Sequence, residues 1–341
     1  MNTEHVDIGV ARYSDWAFTS SVVVLVAALL LLAVELAYSR GRRVESRELV
    51  GAAAAATLGR AAAASGTSAT VGADSVTPGV VADAPKRPLD ERVGKAGLAL
   101  VYVGMGLLLV CIVLRGLATA RVPWGNMYEF INLTCFSGLV AGAIVLRKPQ
   151  YRALWVFVLV PVLILLTVSG RWLYTNAAPV MPALQSYWLP IHVSVVSLGS
   201  GVFLVAGVAS ILFLLKMSPL GQPGPESAAR RIVQRLPDAQ TLDRIAYRTT
   251  IFAFPVFGFG VIFGAIWAEE AWGRYWGWDP KETVSFIAWV VYAAYLHARS
   301  TAGWRDKKAA WINVVGFVAM VFNLFFINLV VTGLHSYAGV G

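Results

Sequence analysis

Charge is scarce in this sequence. Asp, Glu, Lys and Arg make up 14% of it, against about a quarter in soluble domains. A water-soluble globular protein is therefore disfavoured from the outset. Cysteine is scarcer still. Cys111 and Cys135 stand alone in apolar stretches and form no CxxC, which excludes a dithiol redox motif and a metal knuckle and reads best as buried, inert thiols. There is no CxxCH, hence no attachment site for covalent haem of its own, and no GxxxxGK[ST] phosphate loop, hence no ATPase signature. No internal repeat is visible. The net charge of +9 is spread over the loops between apolar segments, so it is not a nucleic-acid footprint.

Hydrophobic residues, at 57%, are abundant. Eight stretches reach the roughly 20 apolar residues that a hydrocarbon core requires: 17–38, 96–118, 130–146, 153–170, 188–215, 249–268, 281–298 and 309–333. The third and seventh are short. The expected fold is all-α, a polytopic membrane protein of about eight transmembrane helices. With the N-terminus outside, the inner loops 39–95, 147–152, 216–248 and 299–308 hold 22 of the 28 basic residues. By the rule that basic loops stay inside, both termini are extracytoplasmic. Glu4, Asp7 and Asp15 precede the first segment and Arg40, Arg42 and Arg43 follow it. That order is the reverse of a signal peptide and predicts an uncleaved helix.

Three domains are expected: an N-terminal transmembrane helix (1–38), a cytoplasmic linker (39–95) and a membrane domain (96–341). Residues 48–88 are Ala, Gly, Ser, Thr and Val with almost no large apolar side chain, a composition that predicts disorder. Within 216–248, an amphipathic surface helix over 228–236 and a plain linker both fit.

The most informative stretch is 267–289, WAEEAWGRYWGWDPKETVSFIAW, which holds five of the twelve tryptophans. A lone interfacial Trp needs no further explanation. Here Trp272, Tyr275, Trp276 and Trp278 crowd into seven residues, with Gly273 and Gly277 allowing close approach. Such a surface suits a large, flat, apolar ligand. Asp279-Pro280-Lys281-Glu282 also reads as an N-cap, a proline at the first helical position and an acid at the third. On that reading Asp279 has a conformational job.

Histidine is limited to four positions. His5 lies in the polar N-terminal tail. His192 falls just inside the outer start of the fifth segment, and His335 follows the outer end of the eighth. Neutral imidazole is the usual protein ligand of haem iron, and these two share a face and depth with the tryptophan-rich loop. His297 lies 17 residues beyond Pro280, roughly 26 Å deeper along a helix. That is too far to share an iron with the other two. It reads equally as an intramembrane functional residue or as an interfacial histidine.

WGRYWGWDPKET, then AYLHAR, then GLHSYA, together with the outer PWGNMYEF at 123–130, resembles the tryptophan-rich WWD haem-handling superfamily. The closest likeness is to its CcsA/ResC branch, which serves System II cytochrome c biogenesis. The likeness covers roughly 96–341, with the WWD loop at 267–283. It implies movement of non-covalent haem b to the outer face of the plasma membrane and presentation there for thioether attachment to the CxxCH of apocytochrome c. It further implies His192 and His335 as axial ligands of outer haem, and Trp272, Tyr275, Trp276, Trp278 and Asp279 as its WWD loop. His297 is implied as the ligand of haem within the membrane. Val284 stands where relatives commonly have Trp. The expected partners are a CcsB/ResB-type membrane protein with its own intramembrane histidine, apocytochrome c, and thiol-reducing assembly proteins. With the first of these the chain would form a holocytochrome c synthase, or haem lyase. A CcmC-like subunit delivering haem to a chaperone is the alternative within the superfamily. A b-type electron-transfer cytochrome is the alternative outside it, although two bis-histidine haems need four buried histidines. No catalytic acid or base stands out.

Overall fold

The computed structural model describes residues 6–38, 89–180, 184–329 and 331. Among these, nine α-helices and no strands are formed: α1 (Ile8–Tyr38), α2 (Leu89–Thr119), α3 (Met127–Val145), α4 (Leu154–Trp172), α5 (Trp188–Lys216), α6 (Ala228–Arg235), α7 (Ala239–Trp272), α8 (Pro280–Ser300) and α9 (Lys307–Leu329). Helices are what a long apolar run must form in hydrocarbon, where each backbone N–H and C=O needs a partner within its own segment. Pro161 and Pro255 sit inside α4 and α7 without ending them, as packed membrane helices allow.

All but α6 and α8 are long and apolar enough to cross a membrane, which makes seven such helices among the described residues. Of the eight expected segments, 281–298 is the one outside this set. That segment is a 21-residue helix, but Lys281, Glu282, His297 and Arg299 lower its apolarity. Its polar start lines a cavity and its polar end meets an ion pair, described below. Several helices also run past their expected ends, notably α1, α2 and α7. The last residues of the expected 39–95 linker, 89–95, are the first turns of α2, where Glu91 and Lys95 pair at 2.8 Å one turn apart. The linker's remainder, 39–88, lies outside the described residues. α6 answers the question left open at 228–236: it is a surface helix capped by Ser227, whose Oγ accepts from Arg230 N at 3.2 Å. Only Val233 on it is buried. Lys216 Nζ donates to the carbonyls of Val233, Gln234 and Leu236, so a cation satisfies the orphan acceptors at its C-terminal end.

α5 is the central helix, with 72% of its membrane-length window buried against 28% for α1, α7 and α9. It packs on α3, α7 and α9. Small residues permit this: a Cβ added at Gly201 would lie 2.5 Å from Gly138 N of α3, so the two backbones touch. α1 lies along α2, where Ser14 and Ser21 donate to the carbonyls of Cys111 and Gly104 at 3.0 and 2.7 Å. α8 is held between α7 and α9; Tyr292 is stacked on Phe203 of α5 with ring centroids 3.6 Å apart. At the end away from the tryptophan-rich loop, Arg299 Nη2 meets Asp243 Oδ2 at 2.6 Å, and Arg152 pairs with Glu35. Both cysteines are free and buried.

Candidate functional site

The tryptophan-rich loop is a stop and a start in close succession. α7 ends at Trp272 because Gly273 adopts the left-handed conformation (φ 69°), its N–H donating to Glu269 O at 2.7 Å. α8 starts at Pro280 because Asp279 caps it, the carboxylate accepting from Lys281 N at 3.0 Å. Glu282 returns the bond, its Oε2 accepting from Asp279 N at 3.1 Å and from Gly277 N at 2.9 Å. One carboxylate oxygen thus ties the backbone on both sides of Trp278. Trp278 itself has φ 57°, a conformation that a bulky non-glycine residue holds only when its surroundings impose it. Thr283 Oγ1 adds a bond to Trp278 O at 3.2 Å, and Arg274 Nη1 lies 3.5 Å from Glu282 Oε1.

His192 projects from the first turns of α5 toward α7. Its Nδ1 donates to Gly260 O at 2.8 Å; a carbonyl can only accept, so this tautomer carries its lone pair on Nε2. Room for the ring comes from Gly264, one turn along α7. A Cβ there would meet His192 Cε1 at 2.7 Å and Nδ1 at 2.9 Å. Trp267 lies parallel to the imidazole, centroids 6.1 Å apart. Trp272 packs edge-on against Trp267 at 4.8 Å.

A cavity of about 330 Å³ joins these pieces. His192, Tyr275, Trp276, Lys281 and Glu282 line its polar end, and it continues between α4, α5 and α9 along Leu165, Leu204 and Phe317. Ser285 and Asn323 also line it, bonded to each other at 2.7 Å. A mostly apolar pocket with a few convergent polar groups is the usual form of a ligand site. Its histidine is oriented through the other ring nitrogen, as metal-ligating histidines are.

The site residues named from the sequence separate into distinct places. His192, Tyr275 and Trp276 share the cavity. Trp272 supports Trp267 behind His192. Trp278 is 66% exposed and meets Trp276 edge-on at 5.7 Å. Asp279 is buried as the helix cap. His297 lies at the far end of α8, exposed, with Ser300 and Thr301 hydroxyls bonded to its carbonyl. It continues an exposed stripe with Ile287, Val290 and Ala294. His335, like His5, lies outside the described residues.

Gly264 and Glu129 are further site residues that the sequence did not single out, and Lys281 and Glu282, read there only as part of a helix start, also line the site. Glu282 has a readable signal, since an acid at the third helical position after Asp-Pro closes a capping box. Glu129 stands in PWGNMYEF, and its role is a tertiary one. Its side chain is 1% exposed and accepts from Arg115 Nε at 3.1 Å, Arg121 Nη1 at 3.0 Å and Gly125 N at 2.8 Å. Arg115 also donates to Thr175 O, and Arg121 to Ala178 O. The cluster therefore locks the loops before α3 and after α4. Beside it, Trp124 Nε1 donates to Ser194 Oγ at 2.6 Å, two residues from His192.

A family model described as cytochrome C assembly protein matches residues 124–335, a span running from Trp124 through His192, the tryptophan-rich loop and His297 to His335. The cytochrome c biogenesis protein CcsA of Guillardia theta is 34% identical over 258 residues, covering 69% of this chain and 85% of the relative. That of Gloeobacter violaceus is 32% identical over 298 residues, covering 73% and 87%. Among solved structures, the cytochrome c heme lyase CcmF superposes with a TM-score of 0.59 at 16% identity, over 93% of this chain and 46% of that one. This likeness is one of fold, and the chain spans less than half of that longer protein. Identity sustained over most of both chains, within a family match that runs from Trp124 past the tryptophan-rich loop to His335, places this multi-pass membrane protein in the CcsA family of cytochrome c assembly proteins.

Proposed function

We propose that this chain carries haem b to the outer face of the plasma membrane and presents it there for thioether attachment to the CxxCH of apocytochrome c. His192 and His335 serve as the axial ligands. The observation that carries this reading is His192 in the cavity, its tautomer set by Gly260 O at 2.8 Å, with Tyr275 and Trp276 on the same walls. These residues fit a porphyrin: one oriented imidazole, apolar walls and aromatic edges. Bound there, haem would supply the vinyl groups that accept the cysteine thiols. The chain's own part is to hold the iron through His192, to keep the aromatic loop rigid through Glu282 and Asp279, and to leave exposed Trp278 and Tyr275 toward an incoming polypeptide. The termini then face outward, as the basic loops require.

Changing His192 or His335 to Gly is expected to lower retained haem several-fold in the purified protein and to shift its low-spin spectrum, with added imidazole restoring part of both. Unchanged spectra in both variants, with cytochrome c assembly intact, would show that these are not the ligands.

The inner ligand is His297, and its second axial partner comes from a CcsB/ResB-type subunit. The support is its position on an exposed apolar stripe, with Ile287 and Val290 48% and 44% exposed. Co-expression of the two subunits is expected to give a six-coordinate inner haem that His297→Ala removes. Six-coordinate inner haem on the isolated chain would defeat the shared site, and a pair indifferent to His297→Ala would defeat the ligand.

A further inference from the structure

A second cavity lies apart from the haem site, at the same end of the bundle, between α1, α3 and α4. It encloses about 390 Å³. Phe18, Val22 and Leu166 form its apolar walls, while Asp15, Arg171 and Tyr174 mark a polar end. Behind that end stands Arg115, 1% exposed. Its Nε is taken by Glu129 and its Nη2 by Thr175 O. Its Nη1 stops 3.8 Å from Asp15 Oδ1, beyond hydrogen-bond length, and among the described residues neither atom has a hydrogen-bond partner. A buried cationic N–H without an acceptor is costly, and its position beside Asp15, Tyr128 and Tyr174, all cavity-lining, puts the deficit at the polar end.

The surroundings indicate what supplies the acceptor. Tyr13 and Trp16, close to Asp15 along α1, and Trp172, next to Arg171, are each 67% exposed, as in the aromatic belt that marks headgroup depth. Among the described residues paired at or lining this end, the guanidiniums of Arg115, Arg121 and Arg171 face the carboxylates of Asp15 and Glu129, which leaves one positive charge over. A polar end followed by an apolar wall of Phe18, Val22 and Leu166 suits a lipid, whose phosphate would meet the guanidiniums while an acyl chain lies along the wall.

We propose that this crevice binds one anionic phospholipid, its phosphate between Arg171 and Arg115 Nη1 and an acyl chain along Phe18, Val22 and Leu166. The site is independent of haem. To test it, the full chain is stripped of lipid in a phosphate-free detergent solution and titrated with phosphatidylglycerol in mixed micelles. Bound lipid is counted by native mass spectrometry, and thermal unfolding is followed in parallel. Diacylglycerol and glycerol 3-phosphate serve as the tail-only and head-only probes. The wild type is expected to retain one phosphatidylglycerol and to unfold at higher temperature with it. Arg171→Gln, at an exposed position that folding does not need, should weaken retention about tenfold, the scale of one charge-assisted hydrogen bond. Val22→Trp should abolish retention by filling the crevice. The proposal is overturned if the wild type retains no phospholipid, if both variants retain it as well as the wild type, or if diacylglycerol binds equally. It is also overturned if glycerol 3-phosphate alone gives the full effect, since the site would then be one for a free anion.

Discussion

Replacing Glu129 with alanine is expected to destabilise the protein by about 3–5 kcal/mol, the cost of leaving a buried charge without its partner. The Glu129 carboxylate accepts from two guanidiniums and from Gly125 N, and Arg115 is 1% exposed. Arg121 is less confined, with 15% of its side chain exposed, so it can turn to water. Arg115 cannot. The double variant Glu129→Ala, Arg115→Met should therefore recover much of the loss, because the fully buried guanidinium is gone and Arg121 and Asp15 both reach water. Thermal or denaturant unfolding in detergent measures both. A single variant within about 1 kcal/mol of wild type, the range of an exposed pair, would show that the cluster is not desolvated. Haem retention should fall alongside stability, since the same loop positions Trp124 against Ser194 of α5.

Gly264→Ala should reduce haem retention about 10- to 100-fold, the usual cost of disturbing the group that orients a metal ligand, while the protein stays folded. The added methyl would sit 2.7 Å from His192 Cε1. The ring must swing away, and its bond to Gly260 O is lost with it. The diagnostic is rescue. His192→Gly opens a hole that free imidazole can fill, whereas Gly264→Ala fills the place where the ring belongs, so imidazole should restore little. Gly106→Ala in α2 is the control, because a Cβ there meets nothing within 4 Å. Equal haem content in the Gly264 and Gly106 variants would remove His192 from the proposed ligand set, or show that its Gly260 bond is dispensable.

The cavity explains the composition of α8. Its first turn carries Lys281 and Glu282 because both face the site, and its last carries Arg299 because Asp243 of α7 waits there. A segment with such ends reads as a short, uncertain span in the sequence and falls short of the apolarity of its seven neighbours.

Local physics was legible in the sequence. Apolar runs of membrane length became helices at the expected places, since a backbone in hydrocarbon has no other way to satisfy itself except a closed barrel. Asp279-Pro280-Lys281-Glu282 became the capping box it spelled, because caps depend on residues within one turn of each other. What the sequence left open was which faces meet. Helices apolar on every side carry no amphipathic stripe to orient them, so nothing in the text of α5 or α7 said that His192 would face Gly260 and Gly264. That was decided by close approach, as at Gly201 against Gly138, where the absence of a side chain lets two backbones touch. Glu129 shows the same division. The structure puts it in the first turn of α3, just ahead of where the sequence starts that segment, and the guanidiniums that make it indispensable come from 14 and 8 residues earlier, past a chain reversal that only the packed bundle fixes.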